Sequence, residues 1–308
     1  MPEFPERLRR ALAERYDSVS ALTGGTGAAS VYLAHDRKLD RQVVLKVLLP
    51  ELCLAVETGR FLREVAIAAR LTHPRIVTVY DSGDVDGCLY YIMPYVAGES
   101  LRDALSRRGR LPLTEAVHFA CHVAGALTYA HKHGVIHRDI KPDNILLTAG
   151  EAVVTDFGVA RAISAADTGK VTSTGMTVGT PAYLSPEQCR GRKKLDGRSD
   201  QYALGCVVYE MLAGHPPFTG ASPQEVLARH VRDAVPTLRA ARPEIPQGVE
   251  QVVTTALAKK PGDRFDTVAE FAGALSSAAV EGGPGPSPQR EAGAWARLGA
   301  WLRRRTSI

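Results

Sequence analysis

Two textures divide the chain, and they constrain its fold more than any single motif. From Tyr16 to about Val96 the sequence reads as strand. VYLAHD alternates, QVVLKVLL is rich in β-branched residues, IVTVYDSG runs into a turn, and CLYYIMPYV is apolar and aromatic. One helix interrupts this run, with Phe61, Val65 and Ala68 recurring on one face of RFLREVAIAARL. After Gly98 the pattern turns helical, over 101–107, 113–133, 201–214, 223–233, 249–259 and 267–279. Short strands are expected there only near 135–136 and 145–155. A β-rich front with one main helix, followed by a mostly helical rear, predicts an α+β chain of two lobes. Residues 16–96 form the front and its connection, and residues 97–280 the rear. Residues 1–15 read as a short amphipathic helix. Residues 281–308 read as a Pro/Gly-rich linker (EGGPGPSPQR) and a basic tail (AGAWARLGAWLRRR).

Charge and cysteine content remove several classes. Lys and Arg total 38 against 33 Asp and Glu, a formal +5. Arg297, Arg303, Arg304 and Arg305 in the tail account for most of that surplus, so the body is nearly balanced and a nucleic-acid coat is excluded. Five cysteines stand scattered without a Cys-x-x-Cys pair, which argues against a disulfide framework and structural zinc and for a reducing cytoplasm. The charged N-terminus carries no signal-peptide pattern, and no apolar run reaches the roughly 18 residues of a membrane span.

Four features carry chemistry. Gly24, Gly25 and Gly27 in GGTGAAS let a backbone approach phosphates, although a plain hairpin turn explains them equally well. Lys46 sits inside the apolar strand VVLKVLL, where an unpaired charge is costly. An edge-strand lysine is the bland account; a partner at Glu64 on the amphipathic helix is the sharper one. In IHRDIKPDNILL, polar residues lie framed by Val135-Ile136 and Ile145-Leu146-Leu147. Such a frame desolvates charge. There Asp139 can accept a hydroxyl proton, Lys141 can neutralise a phosphoryl group, and Asn144 can ligate a metal. Asp156, in DFG at a strand end, is an oxygen ligand of the kind Mg²⁺ prefers.

Each feature alone is ordinary turn chemistry; their order and gaps are not. Together they resemble the protein-kinase signature set, and residues 16–280 are similar to the bacterial eukaryotic-like serine/threonine protein kinases. Supporting motifs are His73-Pro74, GTPAYLSPE at 179–187, Asp200 in RSDQYALG and Arg264 in DRF. The resemblance implies a bilobal kinase fold, with a β-rich N-lobe and hinge over 16–96 and a mostly α-helical C-lobe over 97–280. It implies ATP with Mg²⁺ or Mn²⁺ and a protein substrate. Lys46 would contact the α/β-phosphates and pair with Glu64. Asp139 would be the catalytic base, with Lys141 assisting at the γ-phosphate and Asn144 and Asp156 holding metal. Gly24, Gly25, Thr26 and Gly27 would form the nucleotide loop. Val31, Val44 and Leu146 would sandwich adenine beside the gatekeeper Met93, with Pro94 and Val96 in the hinge. Glu187 and Arg264 would form a structural ion pair, and Asp200 would brace the catalytic loop.

Arg138 before Asp139 points to control by loop phosphorylation, with Thr172 and Thr174 as the sites; Thr180 is expected to brace Asp139 and Lys141. Thr26 and Ala29 stand where the glycine pattern has glycines, and Val44 crowds the adenine slot. This keeps a second reading open, a pseudokinase or scaffold module; a small-molecule phosphotransferase is disfavoured by GTPAYLSPE. Trp295, Leu298, Trp301 and Leu302 share a helical face, so peripheral membrane contact through 294–305 is one reading of the tail, beside docking or disorder. A homodimer is left open as a further partner.

Overall fold

The structure, a computed structural model, describes residues 4–22, 29–158 and 181–281. Helix α1 (Glu6–Leu12) leads into strands β1 (Tyr16–Ala21), β2 (Ala29–Asp36) and β3 (Arg41–Leu48). Helices α2 (Pro50–Ala55) and α3 (Thr58–Ala68) follow, then β4 (Asp81–Val85) and β5 (Cys88–Pro94). The five strands form one antiparallel sheet ordered β1-β2-β3-β5-β4.

Strand alternation sorts this sheet into two faces. Val43, Leu45 and Val47 of β3 pack with Phe4 and Leu8 beside α1, while Val44 and Leu48 pack with Phe61 and Val65 of α3. Lys46 falls on the second face, between Val44 and Leu48. Tyr91 lies directly opposite it in the β3–β5 register.

Three local expectations are corrected. Helix α2 adds a second helix where the front was expected to hold one; Pro50 at its first position, where the missing N–H costs nothing, starts it. The apolar stretch 76–80 is not a strand. Its backbone is spent on a bridge between Ile76 and Val154 and on bonds joining Val77 and Arg75 to Val154, and the strand begins at Asp81. Val135-Ile136 also forms no strand, because the Val135 N–H closes the preceding helix on Ala130.

The C-lobe comprises β6 (Glu99–Ser100), α4 (Leu101–Arg108), α5 (Leu113–Lys132), β7 (Ile145–Thr148) and β8 (Glu151–Val154), then α6 (Pro186–Cys189), α7 (Gly197–Ala213), α8 (Pro223–Arg232), α9 (Leu238–Ala241), α10 (Gln247–Ala256) and α11 (Val268–Glu281). Helix α7 is buried almost all round and anchors one core with α5, α10 and α11. A helix apolar on every side belongs inside a larger layer. No helix among the described residues is long and apolar enough to cross a membrane.

Candidate active site

The segment between α5 and β7 is held open by backbone bonds to one buried carboxylate. Asp200 of α7 accepts from the His137 N–H (2.9 Å) and the Arg138 N–H (2.7 Å), and from His131 Nε2 (2.7 Å). Burial alone pushes the Asp200 carboxyl up; His131 and the backbone donors outweigh it and hold it below its usual range. Arg138 can therefore stand at φ +71°, a left-handed conformation that side chains rarely adopt. The His137 ring closes the loop on the end of β8, with Nε2 2.8 Å from the Thr155 carbonyl and the ring in a T-shaped contact with Phe157.

This frame delivers the polar set to one place. Asn144 Nδ2 donates to the Asp139 carbonyl (2.8 Å) and to Asp139 Oδ2 (3.0 Å), and Lys141 Nζ lies 2.8 Å from the same oxygen. The Thr155 N–H donates to the Asn144 carbonyl (3.0 Å), so the end of β8 and the catalytic loop are one unit. Asn144 Oδ1 is buried and has no partner among the described residues. A buried, unpartnered carbonyl oxygen just before β7, across from Thr155, is what a hard cation needs. With the Asp156 carboxylate nearby in the chain fold, the donors are all oxygen, and the set fits a divalent metal.

Asp156 is where sequence and structure part. Lys46 Nζ lies 2.5 Å from Asp156 Oδ2, and this ion pair stands in place of the expected one with Glu64. The DFG turn and α3 pack closely together. Gly158 (φ +80°) packs so closely on the helix that a Cβ there would come within 2.9 Å of the Glu64 carbonyl and of Ala68 Cβ. Glu64 is buried beside Ile67, Gly134, Val135, Ile136, Arg138 and Gly158, at the back of the DFG turn.

Tyr91 was not singled out from the sequence, yet its hydroxyl donates to Asp156 Oδ1 at 2.8 Å, and Thr155 Oγ1 reaches the same oxygen at 3.2 Å. Burial tends to raise the Asp156 carboxyl; the Lys46 charge and the Lys46 and Tyr91 hydrogen bonds keep it low. Burial and the facing carboxylate push the Tyr91 phenol well above its usual value, so it remains a donor. Tyr91→Phe leaves a buried carboxylate short of one donor. We expect it to cost about 1.5–3 kcal/mol, read from urea unfolding at neutral pH. An unchanged midpoint would remove Tyr91 from the site.

The apolar residues named for the adenine slot lie in one region. Val44 and Met93 are buried in one cluster, with Val31, Val96 and Leu146 packed against it. Pro94 ends β5 opposite Val43, and the Val96 N–H has no partner among the described residues. Gly24, Gly25, Thr26, Gly27, Thr172, Thr174 and Thr180 lie outside the described residues, as does the 294–305 tail. A network the sequence did not reveal anchors residues 181–183. The Tyr183 hydroxyl donates to Glu210 Oε2 (2.5 Å), Arg102 bonds that hydroxyl and Glu210 Oε1 (2.7 Å), and Arg102 Nε lies 3.7 Å from Asp143.

A strand-rich lobe over a helical lobe, with these groups at their junction, defines a protein kinase. The protein kinase domain model matches residues 17–272, and the chain belongs to that family, on its bacterial serine/threonine side. It is 45% identical over 268 residues to the serine/threonine-protein kinase PknB of Mycolicibacterium smegmatis, covering 84% of this chain and 42% of that protein. It is 38% identical over 269 residues to the serine/threonine-protein kinase PrkC of Bacillus subtilis, covering 87% and 41%. The chain thus spans about two-fifths of the length of these relatives. Among solved structures, Rad53 1-466 in complex with AMP-PNP matches with a TM-score of 0.69 at 23% identity, over 88% of this chain and 70% of that one, a likeness of fold.

Proposed function

We propose that the chain is an ATP-dependent serine/threonine protein kinase that transfers the γ-phosphate to protein hydroxyls and phosphorylates its own activation loop at Thr172 and Thr174. The observation that carries this reading is the convergence of Lys141 and Asn144 on the Asp139 carboxylate, together with the Lys46–Asp156 pair. Phosphoryl transfer asks for positioning and charge neutralisation rather than a covalent intermediate. Asp139 accepts the proton of the attacking hydroxyl. Lys141, bonded to the same carboxylate, orients it and offsets charge on the transferring group. Lys46 offers a buried ammonium to phosphate oxygens. A bound Mg²⁺ or Mn²⁺ supplies further charge neutralisation, and Asn144 Oδ1 and Asp156 would hold it. All five cysteines are free thiols, which supports the proposed cytoplasmic location.

Incubation with γ-labelled ATP and Mg²⁺, followed by phosphosite mapping, tests the reading. We expect label in the 172–177 cluster and its loss in Asp156→Asn. Undiminished labelling of that variant would contradict the metal role. No label in the wild-type chain would favour the pseudokinase.

A further inference from the structure

The sequence RGRKK at 190–194 was absorbed by no part of the site. Arg190, Arg192, Lys193 and Lys194 are all exposed, and none has a carboxylate partner among the described residues. Their flanks differ. Arg198 pairs with Asp266 and Arg229 with Glu225. The neighbouring acids are engaged elsewhere: Glu187 is held by Arg264, Asp196 caps α7 by accepting the Arg198 N–H (2.9 Å), and Asp233 lies toward Lys259. Arg190 Nη2 reaches the Val231 carbonyl of α8 (3.5 Å), which brings the exposed Arg232 to the same surface.

This surface is held rigidly and close to the reacting groups. Helix α6 ends in a Schellman turn: Gly191 at φ +66° donates to the Gln188 carbonyl (2.9 Å), and Arg192 donates to the Glu187 carbonyl (3.0 Å). Gln188, within that turn, donates its side-chain amide to the Arg138 carbonyl (2.8 Å), next to Asp139. Arg192 therefore starts within roughly 10–15 Å of the catalytic loop, a distance that four or five residues of extended chain cover. Five uncompensated cations there create a local positive field, although the whole chain is nearly neutral.

We infer that Arg190, Arg192, Lys193, Lys194 and Arg232 form a docking surface for an acidic segment of a protein substrate, about four to six residues from the accepting hydroxyl. The inference rests on the kinase reading for the hydroxyl, and on charge and position alone for the docking. An acidic peptide is favoured over an anionic membrane because the surface adjoins the segment 181–188 that borders the catalytic loop, where a flat bilayer would block access.

The test uses the full chain and three peptides with one identical acceptor: neutral, or carrying six glutamates on either flank. At low ionic strength we expect one acidic peptide to exceed the neutral one by about ten-fold in kcat/KM, the preference collapsing as salt shortens the screening length to a few ångströms. Arg192→Glu/Lys193→Glu/Lys194→Glu should abolish or reverse the preference and leave the neutral peptide within about two-fold of wild type; the corresponding Gln triple should fall between. Equal preference in wild type and both variants would overturn the inference. Fluorescence anisotropy with a labelled glutamate peptide lacking Ser and Thr separates docking from transfer. Salt-sensitive binding lost in the Glu triple supports docking even where no peptide is phosphorylated, a result that would count against the kinase reading alone. Binding to phosphatidylserine vesicles without peptide selectivity would also overturn it.

Discussion

Asp139→Asn is expected to remain folded while losing about 10²–10⁴-fold in phosphoryl transfer, the range associated with a general base. The geometry makes this variant unusually clean. The Asp139 side chain is 27% exposed, and its Oδ2 is held by Lys141 and Asn144, while Oδ1 has no partner among the described residues. Asparagine keeps the shape and one accepting oxygen and cannot take the hydroxyl proton. Lys46→Met is a poorer probe: it leaves Asp156 buried without its counter-charge, so lost activity would mix with instability of about 3–5 kcal/mol. The measurement is γ-phosphate incorporation beside a thermal melt. A melt like wild type with a rate within a few-fold of wild type would remove the proton-accepting role from Asp139.

What was legible in the sequence follows period and polarity; what was not depends on how separate elements seat. The place of Lys46 on the cleft face follows from alternation in QVVLKVLL. Its partner does not, since the meeting of Lys46 with Asp156 depends on how the DFG turn sits against the sheet, which no local pattern encodes. Tyr91 was readable in principle, because it shares parity with Met93 and lies opposite Lys46, but CLYYIMPYV looks like plain apolar strand until β3 and β5 are put in register. Strand β4 was misplaced because DSGDV has turn composition; as an edge strand with one neighbour, it needs no apolar face. The basic loop was hidden by counting charge over the whole chain. Its four cations are cancelled in the sum by acids that stand elsewhere in space, so assigning the surplus to the tail overlooked a local field.

Arg264→Ala is expected to cost about 3–5 kcal/mol at neutral pH, because it strands a buried carboxylate rather than removing a surface pair. Arg264 Nη1 and Nη2 meet Glu187 Oε1 and Oε2 at 2.8 Å each, with side-chain exposures of 0% and 5%. Further bonds surround the pair: Ser199 Oγ donates to Glu187 Oε1 (2.8 Å), and Arg264 donates to the Ala258 (2.8 Å) and Arg198 (2.9 Å) carbonyls. The pair pins α6, and with it Gln188 and the catalytic loop, to the helical core. Burial by itself raises the Glu187 carboxyl, and the Arg264 bond and charge bring it below its usual range. A carboxyl depressed in the folded state contributes stability that is present above the unfolded value of about 4.3 and lost as pH falls through the lower folded value. His122 and His230 are both lowered to about 4, mainly by burial, so wild type and variant alike lose stability from about pH 6.5 downward. The Glu187 contribution is read from the gap between them. Urea unfolding from pH 7 to pH 3 should show a gap that is widest at neutral pH and starts to narrow above the ordinary carboxylate value, because the stranded, buried Glu187 of the variant takes up a proton early, and closes further as pH falls through the lower wild-type value. A gap of the same width at every pH would mean that Arg264 acts by packing against Tyr202 and by its carbonyl bonds, without charge pairing to Glu187.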